Sequence, residues 1–238
     1  MKLLDGTTYK GEWDLKSRRH GRGTEVLPDG GKYIGYFRKN KRDFKGRLVM
    51  GNGTFYQGHF SEGLANGFGI YVHSDGSEYQ GIFQNGLQHG QGKEKYLDKS
   101  VYQGEFKNGK KDGLGVFFWS NGRTYKGHFV NGVIQGEGEM TWPNGNSYSG
   151  NWAHSTMHGQ GTFVWADGRK YVGEYANGKK EGRGKMLWPN GNEYEGQWVD
   201  GKQNGTGKLT IVGPKGKKVN KVQMESGILT SVIIPSKP

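Results

Sequence analysis

The most constraining feature of this 238-residue sequence is a short pattern that recurs at a nearly constant interval. A tyrosine is followed two residues later by glycine and four residues later by an aromatic residue, as in Tyr125, Gly127 and Phe129. Successive copies begin 24 residues apart at the first step and 23 residues apart at every later step. The nine opening tyrosines are Tyr9, Tyr33, Tyr56, Tyr79, Tyr102, Tyr125, Tyr148, Tyr171 and Tyr194. Such a period predicts a linear array in which each copy is one structural unit.

One copy carries the sequence marks of a β-hairpin. The tyrosine, glycine and aromatic residue alternate with period two, so they share one face of a strand. Asn131-Gly132 supplies the positive φ angles that a tight two-residue turn needs. A second glycine pair, Gly136 and Gly138, follows in the return segment. Because glycine recurs there beside aromatic residues, we expect rings from the neighbouring copy to lie across the bare backbone.

The segments "YKGHFVNGVIQGEGEMTWPNG" and "YEGQWVDGKQNGTGKL" resemble MORN repeats. The resemblance covers about residues 6–212 and implies an all-β fold, an extended single-sheet meander of about nine stacked β-hairpins with almost no helix. We therefore assign residues 1–212 to the repeat array. Residues 213–238 leave the repeat, and we expect a short β C-terminal cap there. Alternatively, the run from 228 to 234 adds a strand to the sheet of a partner.

Three copies depart from the pattern. Copy 2 has Asn40 and Phe44 where glycines are expected, copy 4 has Lys99, and copy 7 has His154-Ser155. Tolerated change in loops is the favoured interpretation. The alternative is that these places mark kinks or partner contacts.

The sequence shows no pattern typical of catalysis. Cysteine is absent, and equivalent histidines such as His20 and His89 are 69 residues apart, too far along an array to share a metal. The segment "DGKQNGTGKL" looks like a phosphate-binding loop, but Lys202 replaces its first glycine and Leu209 its hydroxyl residue. We predict a protein that is not an enzyme, with no catalytic residue, no metal site and no cofactor.

The resemblance to MORN proteins implies a scaffold. Members that consist almost entirely of repeats resemble cytoskeletal and ciliary components, including radial-spoke heads. Other proteins are therefore the expected partners, in the cytoplasm at the cytoskeleton, cilium or flagellum, and a homodimer is also plausible for the family. The aromatic residues expected to form the core and the partner-binding groove are Tyr102, Phe106, Trp119, Tyr125, Phe129, Trp142, Tyr148, Trp152, Trp165, Tyr171, Trp188, Tyr194 and Trp198.

The formal net charge of +12 suggests an acidic partner. Cations concentrate around the loops of the first two copies, and the predicted basic patch comprises Lys16, Arg18, Arg19, Arg38, Lys39, Lys41 and Arg42. This patch would bind anionic phospholipid, at about 1 kcal/mol per cation near the surface, or an acidic protein tail, or would serve solubility alone. Nucleic acid is disfavoured, because base stacking needs exposed rings and the array commits its rings to the core.

Overall fold

The structure, a computed structural model, describes residues 1–233, and all the regular secondary structure in that range is β-strand. The predicted all-β hairpin fold is therefore confirmed. The chain divides into two units, Met1–Ser120 and Asn121–Pro238. Residues 234–238, the end of the predicted C-terminal segment, lie outside the described residues.

The first unit is an antiparallel meander in which each strand pairs with the next one along the chain. Its strands are β1 (Thr8–Trp13), β2 (Arg19–Val26), β3 (Lys32–Arg38), β4 (Lys41–Val49), β5 (Phe55–Ser61), β6 (Leu64–Val72), β7 (Glu78–Gln84), β8 (Leu87–Lys95), β9 (Val101–Lys107) and β10 (Lys110–Phe118).

The second unit repeats this topology. Its strands are β11 (Thr124–Val130), β12 (Val133–Thr141), β13 (Ser147–Ala153), β14 (Thr156–Val164), β15 (Lys170–Ala176), β16 (Lys179–Leu187), β17 (Glu193–Val199), β18 (Lys202–Gly213), β19 (Gly216–Glu225) and β20 (Ile228–Ile233).

In copies 2 to 9, the tight turn inside the hairpin has two consecutive residues with positive φ. Asn131 and Gly132 have φ angles of 50° and 86°, as the Asn-Gly sequence predicts. The atypical copy 7 keeps this conformation, since His154 and Ser155 have φ angles of 50° and 62°. In the turn that joins the hairpins of copies 4 and 5, Lys99 replaces the usual glycine and takes a φ of 69°. The atypical copies thus keep the turn geometry and bear the strain of left-handed non-glycine residues.

The two glycines of the return strand have different physical roles. Gly136, with a φ of 76°, lies in a bulge where the register shifts, and in copy 2 Phe44 takes the same role with a φ of 58°. Gly138 lies opposite Gly127, and a β-carbon there would come to 2.2 Å from Oη of Tyr125. The ring that covers the glycines therefore belongs to the same copy. Our expectation of a ring from the neighbouring copy was wrong.

The core is a chain of rings that passes from copy to copy within each unit. Tyr148 is fully buried, and its hydroxyl donates to the carbonyl oxygen of Asn151 at 2.9 Å. Its ring meets Trp152 of its own copy edge-on at 5.1 Å and Tyr175 of the next copy at 5.2 Å. Each such pair contributes about 0.5–1.5 kcal/mol beyond the area it buries. This arrangement recurs along both units, so neighbouring hairpins hold each other.

The last two strands extend the sheet past the ninth copy. Val222 lies opposite Gly207 and is fully buried, and Met224 lies opposite Gly205 and is also buried. Strand β20 pairs with β19 and leaves Ile228 68% exposed. Val222 and Met224 thus occupy the buried side of the sheet, in the place where a further copy would have its buried residues.

Candidate partner-binding surfaces

The sheet of each unit has two unlike faces. The ring face carries the repeat tyrosines and their aromatic partners. The polar face carries the residues that alternate with them, such as Lys170 and Val172 on either side of Tyr171. Each predicted site residue can be placed on one of these surfaces or in the hairpin loops.

Most of the predicted groove aromatics are buried in the core of the ring face. These are Tyr102, Phe106, Tyr125, Phe129, Tyr148, Trp152, Tyr171, Tyr194 and Trp198. Their rings cover the copy glycines and each other, so they shape the sheet from within. The half-buried members of the set are Trp119, Trp142, Trp165 and Trp188, and these present ring area to solvent.

The half-buried tryptophans share one place in the repeat, directly before the turn that joins two hairpins. The backbone of Trp142 exchanges turn hydrogen bonds with Asn146 and Gly145. Phe163 lies between two of these tryptophans, with ring centroids 5.5 Å from Trp142 and 4.6 Å from Trp165. Sequence reasoning missed Phe163, although it stands two residues before Trp165 on the same strand face. Trp142, Phe163 and Trp165 together form a half-exposed aromatic surface of the kind enriched at protein interfaces.

The predicted basic patch is divided by a buried carboxylate. Glu25 is 6% exposed, and it accepts hydrogen bonds from Arg19 and from Arg42, the latter at 2.8 and 2.9 Å. The guanidinium of Arg19 also lies 5.2 Å from the Phe37 ring, and that of Arg42 lies 5.2 Å from the Tyr33 ring. Both arginine side chains therefore lie on the ring face of the sheet. The aromatic rings and the carboxylate of Glu25 compensate their charge there.

The other patch residues lie in the hairpin loops with differing exposure. Arg18 pairs with Asp14 at 2.7 Å, an exposed Lys41 pairs with Glu62 at 2.6 Å, and Lys16 is exposed. Arg38 and Lys39 are exposed, and Arg38 comes within 3.8 Å of Asp43. Local acids thus offset part of the positive field that the sequence suggested.

A half-buried lysine of the second unit, Lys180, lies among aromatic rings. The Nζ atom of Lys180 lies 4.4 Å from the Trp198 ring centroid and 5.6 Å from those of Trp165 and Tyr171. Burial lowers the pKa of Lys180, and the nearby charge of Arg169 lowers it further. Arg169 itself lies 5.2 Å from the Trp165 ring, so the two cations approach the same indole.

The polar face of the second unit contains a groove of about 830 Å³. Its floor is glycine backbone, since a β-carbon on any of these glycines would point to the ring face and leave the polar face open. The glycines are Gly173, Gly184, Gly196 and Gly207. The walls of the groove carry both signs of charge, from Glu174 to Lys221. The groove of the polar face is therefore lined by glycines, whereas the aromatic residues of the predicted partner-binding groove lie on the ring face.

Within residues 1–233 no group of three or more His, Asp or Glu side chains is placed to hold a metal ion. In the same range no helix is long and apolar enough to cross a membrane.

Comparison with known proteins gives the family. The MORN repeat matches nine segments that together cover most of the chain: 9–32, 33–55, 56–78, 79–101, 102–122, 125–147, 148–168, 171–193 and 194–212. No curated protein matches the chain significantly.

Several solved structures resemble the fold. One is the G-box domain of the microcephaly protein CPAP, with a TM-score of 0.46, 12% identity, and coverage of 84% of this chain and 97% of that one. Another is the wild-type TCP10 domain of Danio rerio CPAP, with a TM-score of 0.31, 11% identity, and coverage of 100% and 99%. The TCP domain of Drosophila melanogaster SAS-4, solved with a proline-rich motif, has a TM-score of 0.29, 14% identity, and coverage of 78% and 86%. At these scores and identities the likenesses carry no argument about function.

Proposed function

Because this chain belongs to the MORN-repeat family, we propose that it is a non-enzymatic scaffold of a cytoskeletal or ciliary assembly, of the axonemal, radial-spoke-like kind. The repeats fill residues 9–212 almost without interruption, which is the organisation that the family resemblance links to such assemblies. Each copy builds the same hairpin and offers the same kinds of side chain to its surroundings. Partner proteins bind along this repeated surface.

The observation that carries the proposal is the half-exposed aromatic surface of the ring face. Phe163 contacts both Trp142 and Trp165 there, and it lies opposite the buried Tyr148 on the paired strand. Rings held in this way lose little conformational entropy on binding and bury a large area, which is why they dominate protein interfaces. The predicted contact residues are therefore the half-buried tryptophans and the adjoining hairpin loops. The buried aromatics of the predicted set keep this surface in shape.

Crosslinking in native cells followed by affinity purification tests the proposal. We expect the protein in the detergent-insoluble cytoskeletal or axonemal fraction, crosslinked to specific proteins. The Trp142→Ser variant should lose most of these crosslinks while keeping its thermal unfolding midpoint close to the wild type. Leu64→Ser, a change at a 50% exposed residue at the start of β6 in the first unit, serves as the control. A protein that stays entirely in the detergent-soluble fraction, as a monomer without crosslinked partners, would refute the scaffold role.

A second candidate function is a peripheral module that binds anionic phospholipid through the basic loops. Exposed Lys16, Arg38, Lys39 and Lys41 favour it, whereas the inward orientation of Arg19 and Arg42 opposes it. Flotation with liposomes that contain or lack phosphatidylserine separates the two functions. Binding that needs the anionic lipid and disappears when the four exposed cations become Gln would establish the membrane module.

We also propose that the segment after residue 212 caps the array. Buried Val222 and Met224 on β19 support this role, since they cover the position that a further copy would otherwise occupy. Self-association through the exposed edge of β20 is the competing use, and the same crosslinking experiment reports it as a contact between two copies of the chain.

A further inference from the structure

One strand position of the ring face holds a basic residue in several copies. In copies 2 and 5 the basic residue pairs with a glutamate, a partner that Lys180 of copy 8 lacks. Arg42 and Lys111 occupy this position, nine residues after the tyrosines of copies 2 and 5, and Lys180 occupies it in copy 8. Arg42 pairs with Glu25, which precedes it by 17 residues. Lys111 pairs with Glu94, at the same separation, at 2.9 Å.

Copy 8 has the cation without this acid. The residue 17 positions before Lys180 is Phe163, whose side chain packs against Trp165. Among the residues that the structure describes, no carboxylate forms an ion pair with Lys180, and its charge rests against the rings of Trp198, Trp165 and Tyr171. The surroundings otherwise match those of Lys111, which lies 5.2 Å from the Tyr96 ring and 5.3 Å from the Tyr102 ring.

We propose that Lys180 is a docking site for a carboxylate of a partner protein, an Asp or Glu side chain flanked by an apolar residue. The proposal rests on the scaffold function, because it names the chemistry of one contact that the scaffold makes. The internal pairs of Arg42 and Lys111 show that this position of the repeat accommodates a carboxylate beside a tyrosine ring. The partner supplies in copy 8 what Glu25 and Glu94 supply within the chain.

The neighbouring groups suit such an occupant. Arg169 is 41% exposed in its side chain and shares the Trp165 indole with Lys180, and it pairs with the exposed Asp167 at 2.7 Å. Its guanidinium adds positive charge beside Lys180, which Asp167 partly offsets. The half-exposed rings of Trp165 and Phe163 offer apolar contact to the residue beside the acid. The ammonium of Lys180 is partly desolvated and has no ion-pair partner within residues 1–233. A carboxylate bound there accepts a charge-assisted hydrogen bond from it, which is a stronger contact than an exposed ion pair.

Binding of a synthetic peptide tests the site. The probe is acetyl-Phe-Glu-Glu-Phe-amide, with acetyl-Phe-Gln-Gln-Phe-amide as the uncharged counterpart. Titration of the full chain is followed by tryptophan fluorescence, since Trp165 and Trp198 adjoin Lys180, and by calorimetry. We expect the acidic peptide to bind at least about tenfold more tightly than the Gln peptide, the factor that one charge-assisted hydrogen bond provides.

Two variants separate a docking role from general electrostatics. Lys180→Met keeps the length of the side chain and removes its charge, and it should weaken the acidic peptide about tenfold or more. Lys170→Met removes an equal charge from the opposite face of the same hairpin and should leave binding within about twofold. Phe163→Glu places an acid where Glu94 stands relative to Lys111, and this internal competitor should abolish peptide binding while the thermal midpoint confirms folding.

The results distinguish this proposal from the scaffold function. Loss of peptide binding in Lys180→Met and Phe163→Glu but not in Lys170→Met supports the site. Equal affinity of the two peptides, or equal loss in Lys180→Met and Lys170→Met, overturns it. Cytoskeletal crosslinking of the wild type that persists unchanged in Lys180→Met overturns the site and leaves the scaffold function standing.

Discussion

At the scale of single residues, the repeat depends on glycines that leave no room for a β-carbon. A β-carbon on Gly161 would lie 2.3 Å from Oη of Tyr148, and the tyrosine cannot move because its hydroxyl is bonded to the backbone. We expect Gly161→Ala to lower the free energy of unfolding by about 3 kcal/mol, the cost of overpacking a rigid core. Urea denaturation measures this change.

Gly213 provides the matched control, because a β-carbon there meets no atom within 4 Å and its φ is not positive. Gly213→Ala should change stability by less than about 0.5 kcal/mol. Similar losses in the two variants would show that the tyrosine–glycine contact is not the cause of the glycine pattern.

At the scale of the hairpin and its turns, the left-handed backbone conformation is kept even where the residue is not glycine. Lys99 and Gly53 occupy the same place in the turns between hairpins, with φ angles of 69° and 86°. Lys99→Gly should raise the free energy of unfolding by about 1 kcal/mol, because glycine removes the strain of the left-handed conformation. Thermal unfolding of the purified variant provides the measurement.

The reciprocal change isolates backbone strain from side-chain contact. A β-carbon on Gly53 meets no atom within 4 Å, so Gly53→Lys adds strain without a clash and should cost about 1 kcal/mol. If Lys99→Gly is neutral or destabilising while Gly53→Lys is harmless, strain does not govern these turns.

The hairpins could be predicted from sequence because their cause is local. Asn131-Gly132 determines its own turn, and period-two alternation determines the faces. The covering of the glycines could not be predicted, since Tyr125 and a ring of the next copy are both compatible with the spacing, and only the geometry of the sheet chooses between them. The inward orientation of Arg19 and Arg42 was also hidden, because their partner Glu25 meets them only when the strands pair.

At the scale of the whole molecule, the buried tyrosines make the free energy of unfolding fall at alkaline pH. Burial raises the pKa of Tyr56, Tyr79, Tyr125 and Tyr148 to about 12. A folded-state pKa above the unfolded value of about 10 gives stability that is fully present below pH 10 and lost as the pH rises toward 12. We therefore expect cooperative alkaline unfolding above pH 10.

Phenolate absorbance and circular dichroism measured in one titration check this. Phenolate from the repeat tyrosines should appear together with the loss of β-structure, later than in the protein unfolded in urea. Complete ionisation near pH 10 with the sheet intact would contradict the burial of these hydroxyls.

The contacts of the repeat tyrosines also have a consequence for how the number of copies can change in evolution. Each tyrosine covers the glycines of its own copy and meets the ring of the next, so every junction within a unit contains the same contacts. Unequal recombination that inserts or deletes 23 residues recreates the contact between a tyrosine and the ring of the next copy wherever it falls in the period. The ring contacts therefore allow the array to lengthen or shorten in whole copies, except where an ion pair such as Glu25–Arg42 joins two particular copies. An insertion of one residue is accommodated in a loop, as in copy 1.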